Sequence, residues 1–228
     1  MEKINEAFEL LLKTDRELFQ IIFVTLRMSF FSTLISCLLG MPLGILLAGW
    51  KFKGKRMLKK IIHTLMGLPP VVAGLIVYML FTKYGVFGSL NLLFTVEIMI
   101  IAQVILITPI VAGQTLSVSS VGAKNLLETA KGMRLSNFKI AKLFIIQNKA
   151  SLFSVVLTAF GRSIAEVGAV SLVGGNIQWK TRVMTTAIML ETNKGNFSFA
   201  LALGIILLLI SLVVNIIASA IIKQEEEE

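Results

Sequence analysis

Arg162 and Glu166 stand four residues apart in the run 152–173, which carries no other charge. On a helix that spacing puts both groups on one face, where they can neutralise each other. Ionisable groups in so apolar a setting are costly and face protein or a water-filled path. Two readings stand side by side: a structural ion pair that locks helices together, or a pathway-lining gate, with Gly168 beside it, that exchanges partners as a channel opens. A second candidate is GGNIQWKTR (174–182), in which Asn176, Thr181 and Arg182 offer hydrogen-bond donors. Such donors suit a tetrahedral oxyanion or the acidic groups of an external partner. The plainer reading makes Lys180 and Arg182 solvated loop charges. A third candidate, ETAKGMRLSNFKIAKLFIIQN (128–148), is a basic and partly polar interruption between two apolar runs.

Several chemistries are absent. No GxxxxGK[ST] sequence occurs, so the chain carries no phosphate-cradling loop for ATP. No Ser-His-Asp set exists, and the single histidine, His63, and single cysteine, Cys37, build neither a metal site nor a disulfide. The chain is therefore expected not to be an enzyme, with no cofactor and no metal of its own.

The elements that must position these residues are built for lipid. Hydrophobic residues make up 56% of the 228 and charged residues 15%, and the mean hydropathy is +0.85. Several runs exceed the roughly 18 apolar residues that mark a span. An all-α integral membrane protein with five transmembrane helices is expected, with spans at about 18–49, 61–81, 96–116, 152–173 and 197–222. Pro42, flanked by Gly40 and Gly44, predicts a kink in the first, and GLPPVVAGL (67–75) breaks the hydrogen-bond ladder of the second. Residues 1–17 read as an amphipathic helix on the outer membrane surface, and 223–228 as an acidic tail.

Charge sets the expected orientation. The connection 50–60 carries six Lys/Arg and no acid, and 118–149 carries six more. The other two connections hold Lys83 alone, and Lys180, Arg182 and Lys194. The positive-inside rule then places the N-terminus outside and the C-terminus and both basic connections in the cytoplasm. The net charge of +9 belongs to this pattern rather than to nucleic-acid binding.

Within 118–149, Leu126, Leu127 and Ala130 share one side of a first short helix that Gly132 is placed to end. Ser136 is placed to cap a second, with Phe138, Ala141, Ile145 and Ile146 as its apolar stripe. Glu128-Thr129-Ala130 resembles the Glu-Ala-Ala triplet of the EAA loop in ABC-transporter permeases, with one change. That family expects glycine where Arg134 stands, and proline where Gln147 stands. AEVGA (165–169), GNI-x-x-x-TR (175–182), LPPVVAGL (68–75) and Thr108-Pro109 resemble the molybdate and tungstate group of permeases, and ETNKGNFSFALALG (191–204) the tungstate-uptake permeases.

The resemblance implies a type I ABC importer permease of MetI-like architecture in a prokaryotic plasma membrane, moving tungstate, with molybdate or sulfate as alternatives. An ion-coupled secondary transporter is the competing class; the internal repeat that class often shows is not visible here. The resemblance further implies a homodimer, two cytoplasmic ATPases that use ATP and Mg, and an external oxyanion-binding protein. Glu128, Thr129, Ala130, Gly132, Met133, Arg134 and Leu135 would form the ATPase-coupling segment. Some relatives carry a C-terminal regulatory domain; the chain ends six residues after its last expected span, so none is expected.

Overall fold

The fold was obtained as a computed structural model, which describes residues 6, 16–121 and 123–226. Most of the expected surface helix at 1–17 lies outside these residues. The elements are α1 (Arg16–Gly49), α2 (Lys55–Met66), α3 (Pro70–Phe81), a 3₁₀ turn (Gly88–Leu90), α4 (Val96–Ser120), α5 (Ala123–Gly132), α6 (Asn137–Gln147), α7 (Lys149–Ile164), α8 (Gly168–Gly174), α9 (Met184–Asn193) and α10 (Phe197–Glu226). Three of them are long and apolar enough to cross a membrane: α1, α4 and Phe197–Ile217 of α10. At 34 residues α1 is about 50 Å long. Two further pairs, α2 with α3 and α6 with α7, reach that length only together and are bent by 101° and 76°. Among the described residues, three to five candidate spans follow.

The break between α2 and α3 has a direct cause. Pro69 stands at the N-cap with φ −62° and ψ 127°, and Pro70 opens the helix. Neither proline has an N–H to continue the ladder of α2, while a proline at the first helical position costs nothing. The helix expected over 152–173 also breaks, at 165–167. There Thr185 donates its hydroxyl to the Glu166 carbonyl at 2.8 Å, and the Ala169 N–H donates to the Glu166 carboxylate at 3.2 Å. Side chains have replaced the helical partners of the backbone.

The chain divides into two compact units. The first holds the chain up to Ser32, Pro69–Gln103 and Gly161–Val214. In it α3 lies against α8 with almost no gap: a methyl group at Gly74 would come within 2.6 Å of the Ala169 Cα, and one at Gly168 within 2.8 Å of Val71. The N–H of Met184, at the start of α9, donates to the Thr25 hydroxyl at 2.9 Å.

The second unit holds Thr33–Leu68, Val104–Phe160 and the chain from Asn215. Here α1 runs without interruption through Pro42. Gly40 and Gly44 serve close packing: a methyl at Gly40 would meet the Thr108 carbonyl and Val111 at 2.9 Å, and one at Gly44 would meet Thr115 at 2.6 Å. Small residues four apart let two helices approach when lipid supplies no hydrophobic drive. Leu47, Ile62, Ala112 and Leu116 form one buried cluster, and Ile45, Ala130, Ile140 and Phe144 another. The ammonium of Lys55 donates to the Trp50 carbonyl at 2.9 Å, placing a positive charge at the C-terminal end of α1.

Candidate coupling segment and polar sites

The interruption at 128–148 folds as helix, turn and helix. Ala130 is buried against Ile140, Phe144 and Ile45, with Leu126 and Leu127 partly buried beside it. Glu128, Thr129, Gly132, Met133 and Arg134 are exposed, and Leu135 is half-buried. Within the triplet, therefore, Ala130 holds the two helices together while Glu128 and Thr129 face outward.

Gly132 does end α5, yet the left-handed residue is Arg134, at φ 52°. The Leu135 N–H reaches back to the Ala130 carbonyl at 3.0 Å, and the Met133 N–H to the Thr129 carbonyl at 3.0 Å. The six-to-one bond is the mark of a Schellman ending, whose left-handed position favours glycine because it has no Cβ. Position 134 is also where the permease pattern expects glycine. This chain keeps the geometry with an arginine.

The second helix differs from expectation. Ser136 occupies the N-cap and its carbonyl accepts the Ile140 N–H at 3.0 Å, but its hydroxyl makes no capping bond. The expected stripe of Phe138, Ala141, Ile145 and Ile146 is not the packed face; Ile140 and Phe144 are buried, and Phe138 is 81% exposed. With apolar residues on several sides of α6, helical spacing alone selects no face. Phe138, Ala141 and Ile145 instead line an open apolar groove with Met41, Pro42 and Ile45.

The Arg162–Glu166 pair does not form. The break after Ile164 removes the shared helical face on which it depended. Arg162 is exposed, while Glu166 is buried and holds the start of α8 through the Ala169 N–H. Gly168 is a point of close packing with Val71.

The 174–182 loop is likewise built inward. Thr181 is buried; its hydroxyl donates to the Gly174 carbonyl at 2.6 Å and accepts the Ile177 N–H at 3.0 Å. Arg182 is buried and pairs with Glu17 at 2.7 Å. Asn176, at φ 50°, accepts the Thr186 hydroxyl at 3.0 Å and donates to the Thr186 carbonyl at 3.3 Å. Arg182 is not a solvated loop charge; its pairing with Glu17 and the Thr181 bonds hold the fold, while the buried Arg182 Nε has no partner among the described residues. Lys180 is exposed. Nearby, Glu191 is clamped by Lys194 at 2.8 Å and Asn196 at 2.9 Å. Burial alone would raise its carboxyl, but these two bonds, with the positive charges of Lys194 and Arg182, outweigh it and hold the group below its usual range.

Sequence reasoning missed a buried polar node. The Gln103 amide oxygen lies 2.6 Å from both the Ser32 and Ser163 hydroxyls, and its NH₂ donates to the Ser163 carbonyl at 2.9 Å. All three residues are fully buried. The available signal was the polar spacing Thr25, Ser29, Ser32, Thr33 and Ser36 along one side of α1, all of them buried. Among the described residues no group of His, Cys, Asp and Glu is arranged to hold a metal.

Residues 40–224, which contain the coupling segment and every polar site above except the α1 residues before position 40, match the family described as binding-protein-dependent transport system inner membrane components. The chain belongs to that family. It is thus a multi-pass permease of the inner, or plasma, membrane. The permease is 38% identical over 232 aligned residues to the tungstate uptake system permease protein TupB of Peptoclostridium acidaminophilum, covering all of both chains. It is 40% identical to the TupB protein of Campylobacter jejuni over 93% of this chain and 89% of that one. A sulfate transport system permease protein, CysT of Salmonella typhimurium, is 26% identical over 83% of this permease and 71% of its own length.

Proposed function

We propose that this permease is the membrane-spanning subunit of an ATP-driven importer that carries tungstate into the cytoplasm. The observation that carries the reading is the end-to-end similarity, at 38% and 40% identity, to two tungstate uptake permeases, against 26% for a sulfate permease. The chain spans the membrane five times, at about 18–49, 61–81, 96–116, 152–173 and 197–222, with its N-terminus outside. That orientation puts the six Lys/Arg of 50–60 and the six of 118–149 in the cytoplasm.

It works as a homodimer. Two ATPase subunits grip the exposed end of α5, at Glu128, Thr129, Gly132, Met133 and Arg134, and an external protein delivers the oxyanion. The chain itself does no chemistry; ATP hydrolysis takes place in the partner. ATPase closure pushes on α5 and α6, which transmit it as a rigid pair through the Ala130–Ile140–Phe144 core. Arg162, exposed near the C-terminal end of α7, remains the candidate gate residue.

The test is accumulation of tungsten, measured by mass spectrometry, in cells that express the permease with its ATPase and binding protein. Uptake should require all three subunits and resist excess sulfate. Tungsten levels unchanged by the permease, or uptake abolished by equimolar sulfate, would overturn the assignment.

A further inference from the structure

A cleft of about 390 Å³ opens in the second unit between the C-terminal part of α4 and the N-terminal part of α7. Gln114, Ser117, Ser151, Ser154 and Thr158 line it, with Met66, Val118 and Val155 as its apolar walls. Among the described residues no charged side chain lines it. Its volume equals that of roughly a dozen waters at about 30 Å³ each.

What sets the cleft apart is that its polar groups border open space. Elsewhere some helical hydroxyls turn back to the carbonyl four residues earlier: Thr64 to Lys60 at 3.0 Å, Ser120 to Leu116 at 2.6 Å and Ser211 to Leu207 at 2.9 Å. Others, at Ser29, Thr33, Ser36, Thr108, Thr115 and Ser119, are buried without a partner among the described residues. Such back-bonding is how serine and threonine satisfy themselves inside a helix. In the cleft only Ser117 does this, to Gly113 at 3.0 Å. Among the described residues, Ser151, Ser154, Thr158 and Gln114 make no side-chain hydrogen bond to the chain. Four polar side chains on two facing helices, all unpartnered, would be expensive against lipid. Water or a polar ligand in the cleft would satisfy them.

We propose that this cleft is an oxyanion subsite on the transport path, just inside the cytoplasmic mouth. The idea rests on the importer reading, which places the 118–149 connection, and with it these helix ends, on the cytoplasmic side. Three hydroxyls bring one O–H donor each and the glutamine amide brings two N–H donors, a neutral set suited to the oxygens of a tetrahedral dianion. These neutral donors alone hold a ligand loosely. A site on a path must be favourable enough to enter and weak enough to leave. The competing use of such a surface is tight packing against another helix, as small and hydroxyl residues allow.

The test uses the whole transporter, with ATPase and binding protein, in inside-out vesicles. In a Cys37→Ser background, Ser154→Cys supplies one thiol for a water-soluble maleimide. The thiol should label, and tungstate at ten times its half-protecting concentration should slow labelling about tenfold. Ser154→Ala/Thr158→Val should raise the tungstate concentration for half-maximal ATPase stimulation about tenfold, with the complex still assembled. An unlabelled thiol, labelling that tungstate does not slow, or a double variant that loses its subunits would each overturn the subsite; the last result would make the face a packing surface. If wild-type vesicles still drive tungstate transport, only the subsite falls. If they do not, the importer reading falls with it.

Discussion

Replacing Arg134 by glycine should tighten the end of α5. Arg134 is exposed and holds φ 52°, a conformation costing a residue with a Cβ roughly 1–2 kcal/mol. Glycine removes that cost but gives the unfolded segment more freedom, returning about 0.4–1 kcal/mol. The balance is a gain of about 0.8 kcal/mol, or about a fourfold drop in local opening. Amide hydrogen exchange on the assembled permease reads this directly, because the Met133 and Leu135 N–H groups close the turn at 3.0 Å each. After correction for intrinsic rates, both should exchange about fourfold more slowly in Arg134→Gly. Arg134→Ala removes the same charge while keeping the strained backbone and should show no slowing. Equal protection in the two variants would mean that loss of the guanidinium, not relief of the backbone, is responsible. Faster exchange in the glycine variant would refute the strain argument outright.

Other perturbations follow from the same structure. Gln103→Leu leaves the buried Ser32 and Ser163 hydroxyls without the amide oxygen 2.6 Å from each, and should destabilise the protein by about 1–2 kcal/mol. A lowered midpoint of thermal aggregation would show it, and adding Ser32→Ala and Ser163→Ala should recover part of the loss. Gly44→Val drives a side chain into Thr115 and Ala112, whereas Gly204→Ala meets nothing within 4 Å. The first should fail to accumulate as folded protein on a fluorescence-detected size-exclusion trace, and the second should match wild type. Glu191 is held below the usual carboxylate range when folded, so its clamp stabilises above that range and is lost as pH falls through the folded pKa. Protease sensitivity of the 191–196 segment should therefore rise on acidification in wild type and be high at every pH in Glu191→Gln.

Much of this architecture could be read from local pattern. The apolar runs at 18–49 and 96–116 became α1 and α4 nearly as drawn, because length and hydropathy need no knowledge of neighbours. Pro69-Pro70 announced its own break. The helix–turn–helix at 123–147 was also visible, down to Gly132 as the end of α5. What failed depended on distant partners. Arg182 reads as a loop charge until Glu17, 165 positions away, is beside it. Arg162 and Glu166 look paired only while the helix is assumed continuous, and Thr185 and the Ala169 N–H decide that it is not. On α6 the stripes Phe138–Ala141–Ile145 and Ile140–Phe144 are both apolar, so burial by Ala130 and Ile45, not periodicity, chose between them.

The central claim is that a separate ATPase drives this permease by gripping the exposed end of α5. Affinity purification of the permease with its co-expressed ATPase tests that most directly, comparing wild type with Glu128→Lys and Met133→Glu. Both side chains are exposed, so neither change should disturb folding or membrane insertion. The ATPase should co-purify with wild type and be lost from both variants, while the amount of folded permease stays the same. An undiminished ATPase band in both variants would contradict it.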